Sequence, residues 1–340
     1  MSARNPIEDL AHLRHEFGEH GGVNMSVEAS TTFTVIDPET MPALFQGRAG
    51  PDKGCYLYGR HFNPTVFNLG RQMAALAGTE AAYCAASGMG AISSVVMALC
   101  NEGDEIVASN AIYGGTFALL QDFLPLKTGI RTTFVDITDT DAVWAAVTDK
   151  TRLIFTETLS NPTLRLADIP RLAAVARSKN IPLVVDNTFT PLTLRPATLG
   201  ADVVVHSITK FISGASDIIA GAICGTEDFI GQLMDLHTGP LMLLGPTMDP
   251  SIAGAISLRI PHLPLRIKAH GERALAMATR LSELGLDVCY PGLPDHPDHV
   301  LFEDMHYAEY GFGGVFTLDA GTEEIANRLM SCLQNEMRFG

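Results

Sequence analysis

The sequence predicts an α/β fold with a largely parallel sheet covered on both faces. Seven short apolar runs recur between residues 80 and 224: EAAYCAAS, EIVAS, RTTFVD, RLIFTET, PLVVD, DVVVHS and IIAGAIC. Helical or loop segments separate them. The runs are near-continuous in small and branched apolar residues, as strands buried on both faces are. Several also end on polar groups, and open α/β sheets collect their ligands at the carboxyl ends of the strands.

The composition bounds the rest. A chain of 340 residues that is 46% hydrophobic and 18% charged can bury a large core and is long enough for two domains. Lys and Arg number 23 against 38 Asp and Glu, a net charge of -15, which argues against nucleic acid or a polybasic membrane contact. The six cysteines are scattered with no CxxC pair, and read as reduced thiols of a cytoplasmic protein; no metal is expected. The polar start MSARNPIEDLAHLRHEFGEH has no apolar signal-like region, and no window approaches a membrane span.

In chain order, residues 1–62 form an arm. A short helix is expected around Glu8 to Glu16, then an isolated strand-like TTFTVID and a Gly- and Pro-rich stretch with little of its own to bury. Residues 63–255 carry the α/β alternation, beginning with a helix from Thr65 to Ala77. Residues 256–340 change texture: an amphipathic helix broken near Pro261 and Pro264, then a strand-like GGVFTLDA. This part reads as a smaller, truncated α+β domain.

The chemistry starts at Lys210. The apolar run DVVV stops at His206 and is followed by Ser207-Ile208-Thr209-Lys210. An unpaired ammonium beside an apolar interior is costly, but an amine there suits a nucleophile for an aldehyde. Two hydroxyls beside it could hold a phosphate, and pyridoxal phosphate offers both groups. Asp186 ends PLVV; it could keep a proton on a pyridine nitrogen, or simply cap a turn. Ser87-Gly88-Met89-Gly90 opens a helix after a strand, where N–H groups could face an anion or the glycines could serve a tight turn. The glycines do not meet the GxGxxG spacing of a dinucleotide site. Tyr113, before Gly114 and Gly115, could stack on a planar ring or cover the sheet edge. Tyr58 and Arg60 sit in the arm, free to pair with an anion or to stay solvated.

Taken together, SITKFISGASD at Lys210, VVDNTF at Asp186, SGMGAI at Ser87, YGGT at Tyr113, ETLSNP at Glu157 to Pro162 and YGRHFNPT at Tyr58 to Thr65 resemble the Cys/Met-metabolism pyridoxal-phosphate enzymes. That group includes methionine gamma-lyase, cystathionine gamma-synthase and cystathionine gamma-lyase. The resemblance runs over about residues 30 to 340. It implies an aspartate-aminotransferase-like (fold type I) large domain, and a homotetramer of dimers whose sites are shared between chains. It implies Lys210 as the Schiff-base lysine and proton shuttle, and Asp186 as partner of the pyridine nitrogen. Ser87, Gly88, Met89, Ser207 and Thr209 would hold the phosphate, with Tyr58 and Arg60 from the neighbouring subunit. Tyr113 would stack on the ring and assist the leaving group, and Asn161 would lie near the ring hydroxyl. The substrate-carboxylate arginine would fall beyond Gly340. The implied chemistry is gamma-elimination or gamma-replacement on sulfur amino acids or activated homoserine. O-acetylhomoserine sulfhydrylase activity, or an inactive member with a structural or regulatory role, stands as the alternative.

Overall fold

In the computed structural model, the described residues are 5–12, 21–34 and 38–336. All seven expected strands form one sheet. They are β1 (Ala81–Ala85), β2 (Glu105–Ser109), β3 (Arg131–Val135), β4 (Thr151–Glu157), β5 (Leu183–Asp186), β6 (Val203–His206) and β7 (Gly221–Gly225), in the order β1-β7-β6-β5-β4-β2-β3. The central strands are buried along nearly their whole length, which is why they carry no polar alternation.

Neighbours from β3 across to β6 are parallel, whereas β7 runs antiparallel to both β6 and β1. Two reversals cancel, so β1 points the same way as β6. The carboxyl ends of β1, β2, β4, β5 and β6 therefore share one edge of the sheet, and β7 begins there.

The helices on either side of β1 open on a side-chain cap. The helix Pro64–Ala77 opens on Asn63, whose side chain accepts the Thr65 and Val66 N–H groups, and ends at Gly78 with φ of 76°. The expected start at Thr65 is one residue inside it. The helix Gly88–Leu99 buries Ala91, Ile92, Val95 and Val96 against the sheet.

The N-terminal helix spans Pro6–His12; the rest of the stretch expected to be helical lies outside the described residues. Among the described residues of the TTFTVID segment, Thr32 forms an isolated bridge with Tyr58; Val35 to Asp37 lie outside the described residues.

Toward the C-terminus, Pro250–Arg259 gives way at the 3-10 turn Ile260–His262 to the long helix Leu263–Glu283, so the expected break falls at Pro261. A two-stranded antiparallel sheet follows, β8 (Asp287–Cys289) with β9 (Thr317–Asp319). Tyr290 is buried beneath it and donates its hydroxyl to Gly313 O at 2.9 Å. Among the described residues, no helix is long and apolar enough to cross a membrane.

Candidate active site

The strand ends open on a cavity of about 350 Å³. Its wall contains Ser87, Gly88, Met89, Tyr113, Asn161, Asp186, Ser207, Thr209 and Lys210, nine of the residues singled out in the sequence, together with Glu157 and Thr188.

One end is built for an anion. Ser87 caps the helix Gly88–Leu99, its hydroxyl accepting the Gly90 N–H at 2.9 Å. The N–H groups of Gly88 and Met89 head the first turn, where a helix leaves its donors without internal partners and carries partial positive charge. Glycine at 88 is a steric requirement: a Cβ there would lie 2.9 Å from Ser207 Cβ. The turn after β6 is thus pressed against the helix start, and Ser207 stands beside those N–H groups.

The wall also carries two carboxylates. Asp186 is 9% exposed, and its Oδ1 accepts both the Thr188 N–H at 3.0 Å and the Thr188 hydroxyl at 2.5 Å. The same hydroxyl accepts the Ser207 N–H at 2.8 Å, tying the ends of β5 and β6 together. Burial pushes the Asp186 carboxyl upward and the Thr188 bonds pull it back. Its Oδ2 has no hydrogen-bond partner among the described residues, which suits a donor arriving from the cleft. Glu157 ends β4 beside it, 6% exposed, and is raised first by burial and then by the Asp186 charge.

Lys210 corrects the expectation of a desolvated cation. β6 ends at His206, and the turn that follows carries Lys210 out to an exposed position at the cleft, anchored by its N–H to Ser207 O at 3.2 Å. The buried group is the residue before the turn: His206 is 3% exposed. Thr209 also differs from the simple picture. Its hydroxyl donates to Ala220 O at 3.1 Å and accepts the Ala220 N–H at 3.0 Å, which pins the turn to the start of β7. To donate to a phosphate, that hydroxyl must turn its proton away from Ala220 O, and it can keep accepting the Ala220 N–H.

Tyr113 stands at the mouth, 47% exposed. A Cβ on Gly115 would meet the Tyr113 ring at 2.6 Å, so the glycine lets the ring fold back over its own turn. Asn161 is half-buried on the loop after β4.

Tyr58 and Arg60 are not among the residues that line this cleft. Both are exposed. Arg60 donates to Met242 O at 3.0 Å, and its guanidinium lies 5.5 Å from the centre of the Tyr58 ring. Glu157 and Thr188 line the cleft without a role assigned from the sequence. The signal for Glu157 was the one that marked Asp186, a carboxylate closing an apolar strand; Thr188 had none, since its bond to Ser207 spans two strands.

The pieces available are an anion cradle, a buried acceptor, an exposed amine and a planar phenol, enough to hold and use a phosphorylated aromatic aldehyde. Comparison with known proteins points the same way. The model of a family described as Cys/Met metabolism PLP-dependent enzyme matches residues 10–336. Over 337 residues, 99% of this chain and 76% of the relative, the sequence is 56% identical to a methionine gamma-lyase of Arabidopsis thaliana. It is 37% identical to a probable cystathionine gamma-synthase of Herpetosiphon aurantiacus, covering 89% of this chain and 93% of that one. A solved Campylobacter jejuni structure, named provisionally as an O-acetylhomoserine (thiol)-lyase and containing N'-pyridoxyl-lysine-5'-monophosphate, superposes with a TM-score of 0.88 at 26% identity. The superposition covers 97% of this chain and 88% of that one.

Proposed function

The chain belongs to the Cys/Met metabolism pyridoxal-phosphate-dependent enzyme family, and from that premise we propose that it removes the γ-substituent of a sulfur amino acid, methionine foremost. Its cofactor is pyridoxal phosphate, and the fold is that of the fold type I enzymes. The observation that carries the choice of methionine is the 56% identity to a methionine gamma-lyase along 99% of this chain.

The cleft suits the cofactor. The first-turn N–H groups of Gly88 and Met89, with Ser87 and the Ser207 hydroxyl, would hold the phosphate, joined by Thr209 once its hydroxyl proton turns away from Ala220 O. Asp186 would hold a proton on the ring nitrogen through Oδ2, Tyr113 would cover the ring and Asn161 would lie near its hydroxyl. When bound, pyridoxal phosphate supplies a ring that takes up the electron pair left on the substrate α carbon.

The remaining tasks fall to the chain's own groups. Lys210 would hold the cofactor aldehyde through its amine, and the same amine, when free, would move protons from the α and β carbons of the substrate. Tyr113, at the mouth, offers its phenolic proton to the departing sulfur. Thr188 keeps Asp186 aimed and buried, so that its negative charge acts in a medium with little water to screen it.

The reading extends to the assembly. Residues 1–62 form an arm, 63–255 the cofactor domain and 256–340 a smaller C-terminal domain. The arm's Tyr58 and Arg60 complete the phosphate site of a second copy in a homodimer or homotetramer of the cytoplasm. What supports this is that both residues are exposed and stand outside their own chain's cleft.

The test is product identification with methionine, cystathionine and O-acetylhomoserine, each with and without an added thiol. Methionine should give methanethiol, ammonia and 2-oxobutanoate. Turnover of O-acetylhomoserine only when thiol is present would replace this reading with γ-replacement, and no turnover of any of the three would contradict an enzymatic role.

A further inference from the structure

β4 ends on Glu157 and β5 on Asp186, and the two are Cα partners in the parallel register. Side chains at such positions project from the same face of a sheet. Two carboxylates therefore stand side by side under the cleft, though only Asp186 has a task at the ring. Keeping a second buried carboxylate there is costly, since burial and the Asp186 charge both oppose its ionisation. An arrangement with that cost needs a reason.

The reason lies in what Glu157 holds. Its Oε1 accepts the backbone N–H of Tyr113 at 2.8 Å, and its Oε2 accepts that of Asn161 at 3.0 Å. Those N–H groups belong to separate loops, one after β2 and one after β4. Each loop carries a residue of the cleft. Both bonds are sheltered from water, with Glu157 only 6% exposed, so losing either would leave a backbone N–H without its acceptor.

We infer that Glu157 is a positioning residue, a single buried carboxylate that fixes the Tyr113 turn and the Asn161 loop relative to each other and so sets the width of the slot for the cofactor ring. The inference rests on reading the cleft as the pyridoxal-phosphate site. Glutamine cannot replace it. Its amide carbonyl can accept one N–H, but its NH2 then faces the other donor. Aspartate is one methylene short of spanning both loops.

The test uses the full chain. Amide hydrogen exchange is measured first without cofactor, on wild type and Glu157→Gln. Peptides covering Tyr113 to Thr116 or Asn161 to Leu164 should exchange about tenfold faster in the variant, while peptides of β1 and β7 keep their wild-type rates. Pyridoxal phosphate is then added: the variant should bind it at least about tenfold more weakly, with a changed visible circular-dichroism band from the altered ring orientation. Wild-type exchange in both loops, or a uniform rise across the sheet, would overturn the inference. So would cofactor affinity and dichroism indistinguishable from wild type. If wild type itself binds no pyridoxal phosphate, the functional reading fails, and the exchange data still decide the clamp. Should Glu157→Gln not fold, Glu157→Asp is measured in the same way with the same two outcomes.

Discussion

His206 and Lys210 lie four residues apart and end in opposite surroundings. His206 is the last residue of β6, 3% exposed, and burial lowers its imidazole from 6.5 to about 4. Lys210 is exposed at the cleft. The histidine therefore gives a measurable pH dependence. Between pH 6.5 and about 4 the unfolded chain binds a proton that the folded chain refuses, so this residue takes stability away as the pH falls through that window. Above pH 6.5 it has no effect. His206→Leu should remove up to about 3 kcal/mol of that acid-side loss, read from urea unfolding of both proteins at pH 7 and pH 4.5. Parallel curves at the two pH values would show that His206 takes up its proton in the fold. The sequence made Lys210, Asp186 and Ser87 legible because each follows an apolar strand, but side-chain exposure was not. Whether an amine after a strand is buried depends on how the next turn is pinned, here by Thr209 to Ala220.

The loop after Lys210 is held from outside the sheet, by the two helices that flank the Ile260–His262 break. Arg266 donates to Phe211 O at 2.6 Å and to Ile212 O at 2.8 Å. Arg259 makes a two-pronged pair with Asp217 at 2.6 and 2.7 Å and also reaches Ser213 Oγ at 2.9 Å. The fit around Arg266 is close, since a Cβ on Gly214 would collide with its guanidinium. Arg266→Met keeps much of the apolar stem but leaves two carbonyls without their donor. It should destabilise the fold by about 1–3 kcal/mol. Arg259→Met breaks a pair that water screens and should cost less than Arg266→Met. Chemical denaturation of both variants checks the order, and equal losses would contradict it. At this scale the strands and the Pro261 break were readable from apolar runs and proline. The antiparallel course of β7 was not, because strand direction depends on which distant segment pairs with it and GAIC carries no mark of that. The arginine clamp was hidden for a similar reason, with its partners 42 to 55 residues away.

Across the whole molecule, the sheet is what converts scattered motifs into a site. Two antiparallel pairings at β7 bring β1 to the same edge as β6, and with it Ser87 to Ser207 and Asp186. Residues more than a hundred positions apart thereby enclose one cleft of about 350 Å³. Tyr58 and Arg60 stay outside it, and the exposed Leu243 and Leu244 lie just beyond Met242, the residue Arg60 touches. A cleft on one chain with Tyr58 and Arg60 exposed outside it is the distribution that the proposed shared-site oligomer would need. In the proposed function this cleft holds pyridoxal phosphate on Lys210. Its most direct test is borohydride reduction of the protein after incubation with pyridoxal phosphate, followed by peptide mapping in a mass spectrometer. A stoichiometric phosphopyridoxyl label is expected on the peptide containing Lys210 and none there in Lys210→Ala. A protein that takes up no label, or carries it only on other lysines, would contradict the proposed function.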